Sequence, residues 1–211
     1  MIENSFQGEN RNEAGADIVQ NAVSNRRHPL SEPITEPASG PEIQYFYLRT
    51  RQYQQKKQLF DAIRRKWIAD TPEERVRQEL LCRLTKELGY PAGQISIERR
   101  AQPYSGYQTT ALRVARQAAT ANPLGRYDAL LRTTEGKPLL LIECKAPGIA
   151  LDQSVFDQAA VYNHVLNVPF LLLCNGPDFL MVQIDHSSGR YVFAPEIPSY
   201  PSLLALTEDL R

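Results

Sequence analysis

The run PLLLIECK, residues 138–145, constrains this chain more than any other stretch. A continuous apolar run bounded by Gly136 on one side and Pro147 on the other fits a strand covered on both faces. Such a strand needs strands beside it and helices above and below. Its far end is less simple. Glu143 and Lys145 fall on one face, with Cys144 turned to the other, so a strand built for a core finishes in two opposite charges.

The rest of the chain supplies the neighbours. DTPEERVRQELLCRLTKELGY reads as an amphipathic helix, with Thr71 as N-cap, Pro72 in the first turn and Gly89 as stop. DQSVFDQAAVYNHVLN reads as a second. QISIERR, RYDALLRT, VPFLLLC and FLMVQID have strand character, and IQYFYLRT with KQLFDAI suggests a hairpin. A short helix is expected around 111–119 and another at PSLLALTEDL. The order is β-β-α-β-β-β-α-β-β, an α/β arrangement with a mixed sheet.

Charge divides the chain. Net charge is zero, but residues 1–42 hold seven acids and three arginines, leaving +4 on the remainder. This first segment reads as a disordered acidic tail, and 43–211 as one domain. No apolar stretch approaches the ~18 residues of a membrane span, and the N-terminus lacks a secretory pattern. Cys82, Cys144 and Cys174 sit in apolar runs and read as reduced thiols in a cytoplasm. His28, His164 and His186 have no metal-ligand spacing.

RYDALLRT and PLLLIECK are joined through TEGK. A two-residue turn at Glu135-Gly136, or a symmetric four-residue loop, sets Asp128 directly opposite Glu143, while a three-residue loop shifts the register and breaks the pairing. In the paired register Arg126, Asp128, Glu143 and Lys145 share one face, and Tyr127, Ala129, Leu131, Ile142 and Cys144 share the other. Two carboxylates ~5 Å apart repel by ~3 kcal/mol at an effective dielectric of 20. A shared proton, neighbouring cations or a bound metal would compensate. A hard divalent cation on Asp128, Glu143 and the Cys144 carbonyl is the most natural answer, Mg²⁺ keeping waters in its other positions. Lys145 would then orient or help deprotonate an attacking water. The plain alternative is a salt bridge at a strand end. Gln158 and Tyr162, spaced i, i+4, share one face of the second helix; they either pack on the sheet or look back at the strand ends.

Together Asp128, the hairpin, Glu143-x-Lys145 and Gln158-x-x-x-Tyr162 resemble the PD-(D/E)xK nuclease superfamily. The glutamine–tyrosine motif resembles the branch containing the N-terminal nuclease domain of type I restriction enzyme R subunits, in a short stand-alone bacterial form. The resemblance spans roughly residues 43–200. It implies a restriction-endonuclease-like mixed β-sheet flanked by helices, and a Mg²⁺-dependent (Mn²⁺ possible) DNA endonuclease. Catalysis would fall to Asp128, Glu143 and Lys145, and metal binding to Asp128, Glu143, Cys144 and Glu74. DNA contacts would fall to Gln158 and Tyr162, to Arg126, and to Arg113 and Arg116. Arg75 and Arg77 are further phosphate candidates beside a plain reading as solvated residues.

Tyr127 stands where the superfamily motif has proline. The 101–125 stretch is longer than a link between strands, and Arg99–Arg126 carries five arginines and no acid, with Tyr104 and Tyr107 inside it. A second basic stretch covers 49–66. No phosphate-binding loop occurs, so an ATP-driven motor would come from a partner, with DNA and restriction–modification subunits as the expected partners. A catalytically weak DNA-binding or assembly module is the second reading. A metal protein without a nucleic-acid role is the third.

Overall fold

The computed structural model describes residues 47–101 and 126–208. The acidic segment 1–42 and the expected helix at 111–119 lie outside them, as do Arg113 and Arg116.

Two sheets and three helices form among the described residues. The small sheet, in order β1-β2-β3, comprises Thr50–Tyr53, Lys56–Asp61 and Lys66–Ala69, all antiparallel. Helix α1, Pro72–Lys86, follows. The large sheet has the order β4-β5-β6-β7-β8-β9: Ile95–Ile97, Ala129–Arg132, Pro138–Cys144, Phe170–Cys174, Phe179–Asp185 and Arg190–Ala194. All its pairs are antiparallel except β6 with β7, which α2, Gln153–Leu166, connects as a crossover. Helix α3 is Tyr200–Glu208. The mixed α/β architecture read from the sequence is therefore present, with β3 and β9 as strands that reading did not include.

Every residue of β6 is buried. One face packs against α1 and α3: Leu140, Ile142 and Cys144 meet Val76, Leu81, Leu84 and Leu203. The other packs against α2: Leu141 and Leu171 meet Val155, Ala159, Tyr162 and Leu166. Helix α1 begins as its residues dictate. The Thr71 hydroxyl accepts from the Glu74 amide at 3.2 Å, Pro72 opens the first turn, and Gly89 follows with φ +75°.

The hairpin strands at the N-terminal end differ from expectation. β1 starts where IQYFYLRT ends, and Gln54 and Gln55, both at positive φ, make the two-residue turn. Residues 43–46 lie outside the described ones.

The β5–β6 hairpin reaches its register by an unexpected route. Thr133 N–H donates to the Lys137 carbonyl at 2.8 Å, and Gly136 N–H to the Thr133 carbonyl at 2.9 Å. The loop is therefore the three-residue kind, 134–136, which alone breaks the Asp128–Glu143 alignment. A β-bulge at Leu139 absorbs the difference: Arg132 pairs Pro138, but Leu131 pairs Leu140 and Ala129 pairs Ile142. Pro138 has no N–H for the ladder, which suits the disruption.

Candidate functional site

The ladder ends at Ala129↔Ile142, and Asp128 stands one residue beyond it in a bend. Its carbonyl accepts from the Glu98 amide at 3.1 Å. The bend breaks strand alternation. Tyr127 therefore packs with Leu130, Leu141 and Tyr162 on the α2 side, not with Ala129 and Leu131 as strict alternation required. The Tyr127 hydroxyl lies 2.9 Å from Ser96 Oγ.

In place of a flush cross-strand pair, the Asp128 carboxylate bridges two donors. Oδ2 accepts from the Cys144 amide at 2.6 Å, and Oδ1 from Arg77 Nη1 at 3.1 Å. Asp128 thus grips the backbone of the residue after Glu143. Its negative charge acts on Glu143, the second-largest influence there after burial.

Glu143 is nearly inaccessible. Burial first, then the Asp128 charge, push its pKa up to about 7, against the pull of Lys145. Burial also raises Asp128, although the Cys144 amide and Arg77 oppose it. Lys145 Nζ donates 2.8 Å hydrogen bonds to Glu143 Oε1 and to Gln158 Oε1. Burial pulls the Lys145 pKa down, but the Glu143 carboxylate outweighs it and the net direction is up.

Gln158 and Tyr162 do share a face of α2 turned to the strand ends. The Asp152 carboxylate caps this helix at the Ser154 amide. Tyr162 is buried and its hydroxyl donates to the Arg126 carbonyl at 3.1 Å. Arg126 therefore contributes its backbone here, while its side chain is exposed.

Helix α1 brings something the sequence reading did not weigh. Arg77 is only 3% exposed and contacts three carboxylates: Glu74, Glu98 at 2.9 Å, and Asp128. Glu98 also pairs with Arg64, which pairs with buried Asp61. An ion-pair chain thus runs from the small sheet to Asp128. Arg75 pairs with Asp70 at 2.6 Å. Arg77 is thus buried among carboxylates, while Arg75 stays partly exposed beside Asp70. Glu98 holds φ +48°, an uncommon backbone state for a non-glycine residue. The one sequence signal for the network was the i, i+3 spacing of Glu74 and Arg77. Nothing in the sequence marked Glu98 or the 51-residue separation of Arg77 from Asp128.

The opposed acids therefore have neighbouring cations, Arg77 for Asp128 and Lys145 for Glu143. The oxygen donors of Asp128, Glu143 and the Cys144 carbonyl match a hard cation in chemical type. Asp128 engages its oxygens with Arg77 and an amide, and Glu74 turns to Arg77. Among the described residues no cluster of three or more His, Cys, Asp or Glu side chains is arranged to hold a metal. The match to a cation is thus one of donor type, with Asp128, Glu143 and Glu74 engaged here by Arg77, the Cys144 amide and Lys145. No helix of the described residues is long and apolar enough to cross a membrane.

Residues 101–198 match the family model for the type I restriction enzyme R protein N terminus. A solved fragment assigned as an HsdR subunit of a type I restriction enzyme from Vibrio vulnificus YJ016 is similar at 20% identity and TM-score 0.40, over 62% of this chain and 25% of that one. No curated protein matches.

Proposed function

We propose that this chain, similar over residues 101–198 to the type I restriction enzyme R protein N terminus, is a metal-dependent DNA endonuclease of the PD-(D/E)xK kind. The observation that carries this reading is the convergence at the end of β6. Lys145 lies between Glu143 and Gln158, and Asp128 holds the Cys144 amide. Residues from a bend, a strand end and a helix meet at one point.

Asp128, Glu143 and the Cys144 carbonyl would hold a divalent cation, Mg²⁺ or Mn²⁺. When bound, it supplies stabilisation of charge on the phosphoryl oxygens. The chain's own residues do the rest. Lys145 carries a proton at Nζ and can orient a water for in-line attack. Gln158 sets the Lys145 ammonium from the helix side. Tyr162 fixes the backbone at Arg126, whose exposed guanidinium is free to approach a phosphate. Glu143, poised near neutrality by burial, must lose its proton to become a ligand.

Supercoiled and single-stranded DNA, incubated with the purified chain and Mg²⁺, Mn²⁺ or EDTA, test this. Nicking is expected with metal and not with EDTA. Lys145→Ala and Asp128→Ala should each reduce it at least ~100-fold. The two satisfied ion pairs favour a second reading, a weakly catalytic DNA-binding or assembly module working with restriction–modification subunits. Salt-sensitive DNA binding without cleavage of any substrate would select that one.

A further inference from the structure

The small sheet lies before the family match and reaches the site above only through the Asp61–Arg64–Glu98 ion pairs on its inner side. Strand pairing sorts its residues onto two faces. Leu59 and Asp61, both fully buried, look inward to α1, where the Ala62 amide donates to Gln78 Oε1 at 3.2 Å. The other face carries Arg49, Arg51 and Tyr53 from β1 and its lead-in, Lys56, Gln58 and Phe60 from β2, and Trp67 from β3. The register sets Arg51 beside Gln58, Tyr53 beside Lys56 and Phe60 beside Trp67.

These side chains meet one another. The Arg51 guanidinium lies over Trp67 at 4.3 Å and over Tyr53 at 5.0 Å, and donates to Gln58 Oε1 at 2.8 Å. Arg49 lies over Phe60 at 4.7 Å, and Phe60 packs edge-on to Trp67 at 5.3 Å. Among the described residues no carboxylate occupies this face. Arg49, Arg51, Tyr53 and Lys56 are exposed, Tyr53 by 51%.

Three aromatic rings and three cations on one open sheet face combine what a single strand of nucleic acid needs. Unpaired bases stack on rings and guanidinium planes, and cations meet the backbone phosphates. A duplex hides its base faces and would use only the cations. An acidic peptide has the charge but no planar rings to stack. We propose that the outward face of β1–β3 is a docking platform for single-stranded nucleic acid, separate from the Asp128–Glu143–Lys145 site. This deepens the proposed function by naming a strand form, and it is testable without cleavage.

Trp67 is the chain's one tryptophan, so intrinsic fluorescence reports on this face directly. The full chain is titrated in EDTA with an unlabelled oligothymidine strand, reading Trp67 emission, and with a labelled strand, reading anisotropy. Expected are quenching of Trp67, binding that weakens with salt, and a weaker response to duplex of equal length. Tyr53→Ala should weaken strand binding ~5- to 100-fold, Tyr53→Phe should retain it, and Arg51→Ala should weaken it. Three outcomes would each overturn the platform: Trp67 emission unchanged on saturation, equal loss in Tyr53→Phe and Tyr53→Ala, or a polyglutamate peptide binding as tightly as the strand. Cleavage of supercoiled DNA with Mg²⁺, measured separately on the same variants, reports the nuclease reading alone.

Discussion

Arg77 and Lys145 bring positive charge to the same pair of acids, from opposite sides and on different terms. Arg77 rises from α1, is buried, and divides its planar fork among three carboxylates. Lys145 directly follows β6, keeps a fifth of its side chain in solvent, and holds one carboxylate and one amide. Guanidinium suits a fixed multivalent junction, whereas a lysine ammonium rotates and is easily re-solvated. The contrast separates holding the acids in place from acting beside them.

The largest expected effect is structural. Arg77→Ala strands Asp128 in a buried position and releases Glu74 and Glu98. Stability should fall by ~3–5 kcal/mol, read as a lowered denaturation midpoint in urea. Lys145→Ala should cost only about 1 kcal/mol in the same experiment, since buried Glu143, with a pKa of about 7, can take up a proton instead of standing as an unpaired charge. Equal losses in the two variants would erase the distinction drawn here.

Glu143 gives an intermediate effect with a definite pH signature. Its folded pKa, about 7, lies above the ordinary glutamate range. Its contribution to stability is therefore full below that ordinary range and is lost as pH rises through about 7. Glu143→Gln should show no such loss, so the variant becomes the more stable protein above neutrality, by on the order of 1–3 kcal/mol. Melting curves at acid and alkaline pH, without metal, check it. A constant offset across pH would contradict the assignment.

The smallest effect belongs to Gln158. It is exposed, so Gln158→Ala should change stability by less than ~0.5 kcal/mol. Yet it removes a Lys145 partner, and cleavage should slow while the melting temperature stays put.

Legibility in the sequence followed the range of the interactions. β6 was plain because seven consecutive residues report one buried environment. Caps at Thr71 and Gly89, and the i, i+4 relation of Gln158 to Tyr162, are likewise local. β3 was missed because four residues after Arg64-Arg65 carry too little pattern, and β9 because its burial is slight along an exposed edge. The alignment of Asp128 with Glu143 was reached from a turn the molecule does not use. The three-residue loop and the Leu139 bulge offset each other, and both are set by backbone geometry that residue types leave open. The bend at Asp128, which sends Tyr127 to the α2 side, belongs to the same class. The buried ion-pair role of Arg77 was the costliest omission. An arginine in the second turn of a helix usually reads as solvated, and its burial depends on Glu98 and Asp128 arriving from distant segments.

The antiparallel contact between β4 and β5 continues past both strands. Tyr127 N–H donates to the Arg99 carbonyl, Arg100 bridges Arg126, and Tyr162 clamps the Arg126 carbonyl. Residues 100 and 126 thus lie side by side at the end of this ladder. Joining the two by an Asn-Gly turn would complete an ordinary hairpin. The shorter closure favours the folded chain by ~0.6 kcal/mol for each halving of loop length. Asp128 would keep its hold on Cys144, and Arg99, Arg100 and Arg126 would stay in place while Arg113 and Arg116 were removed.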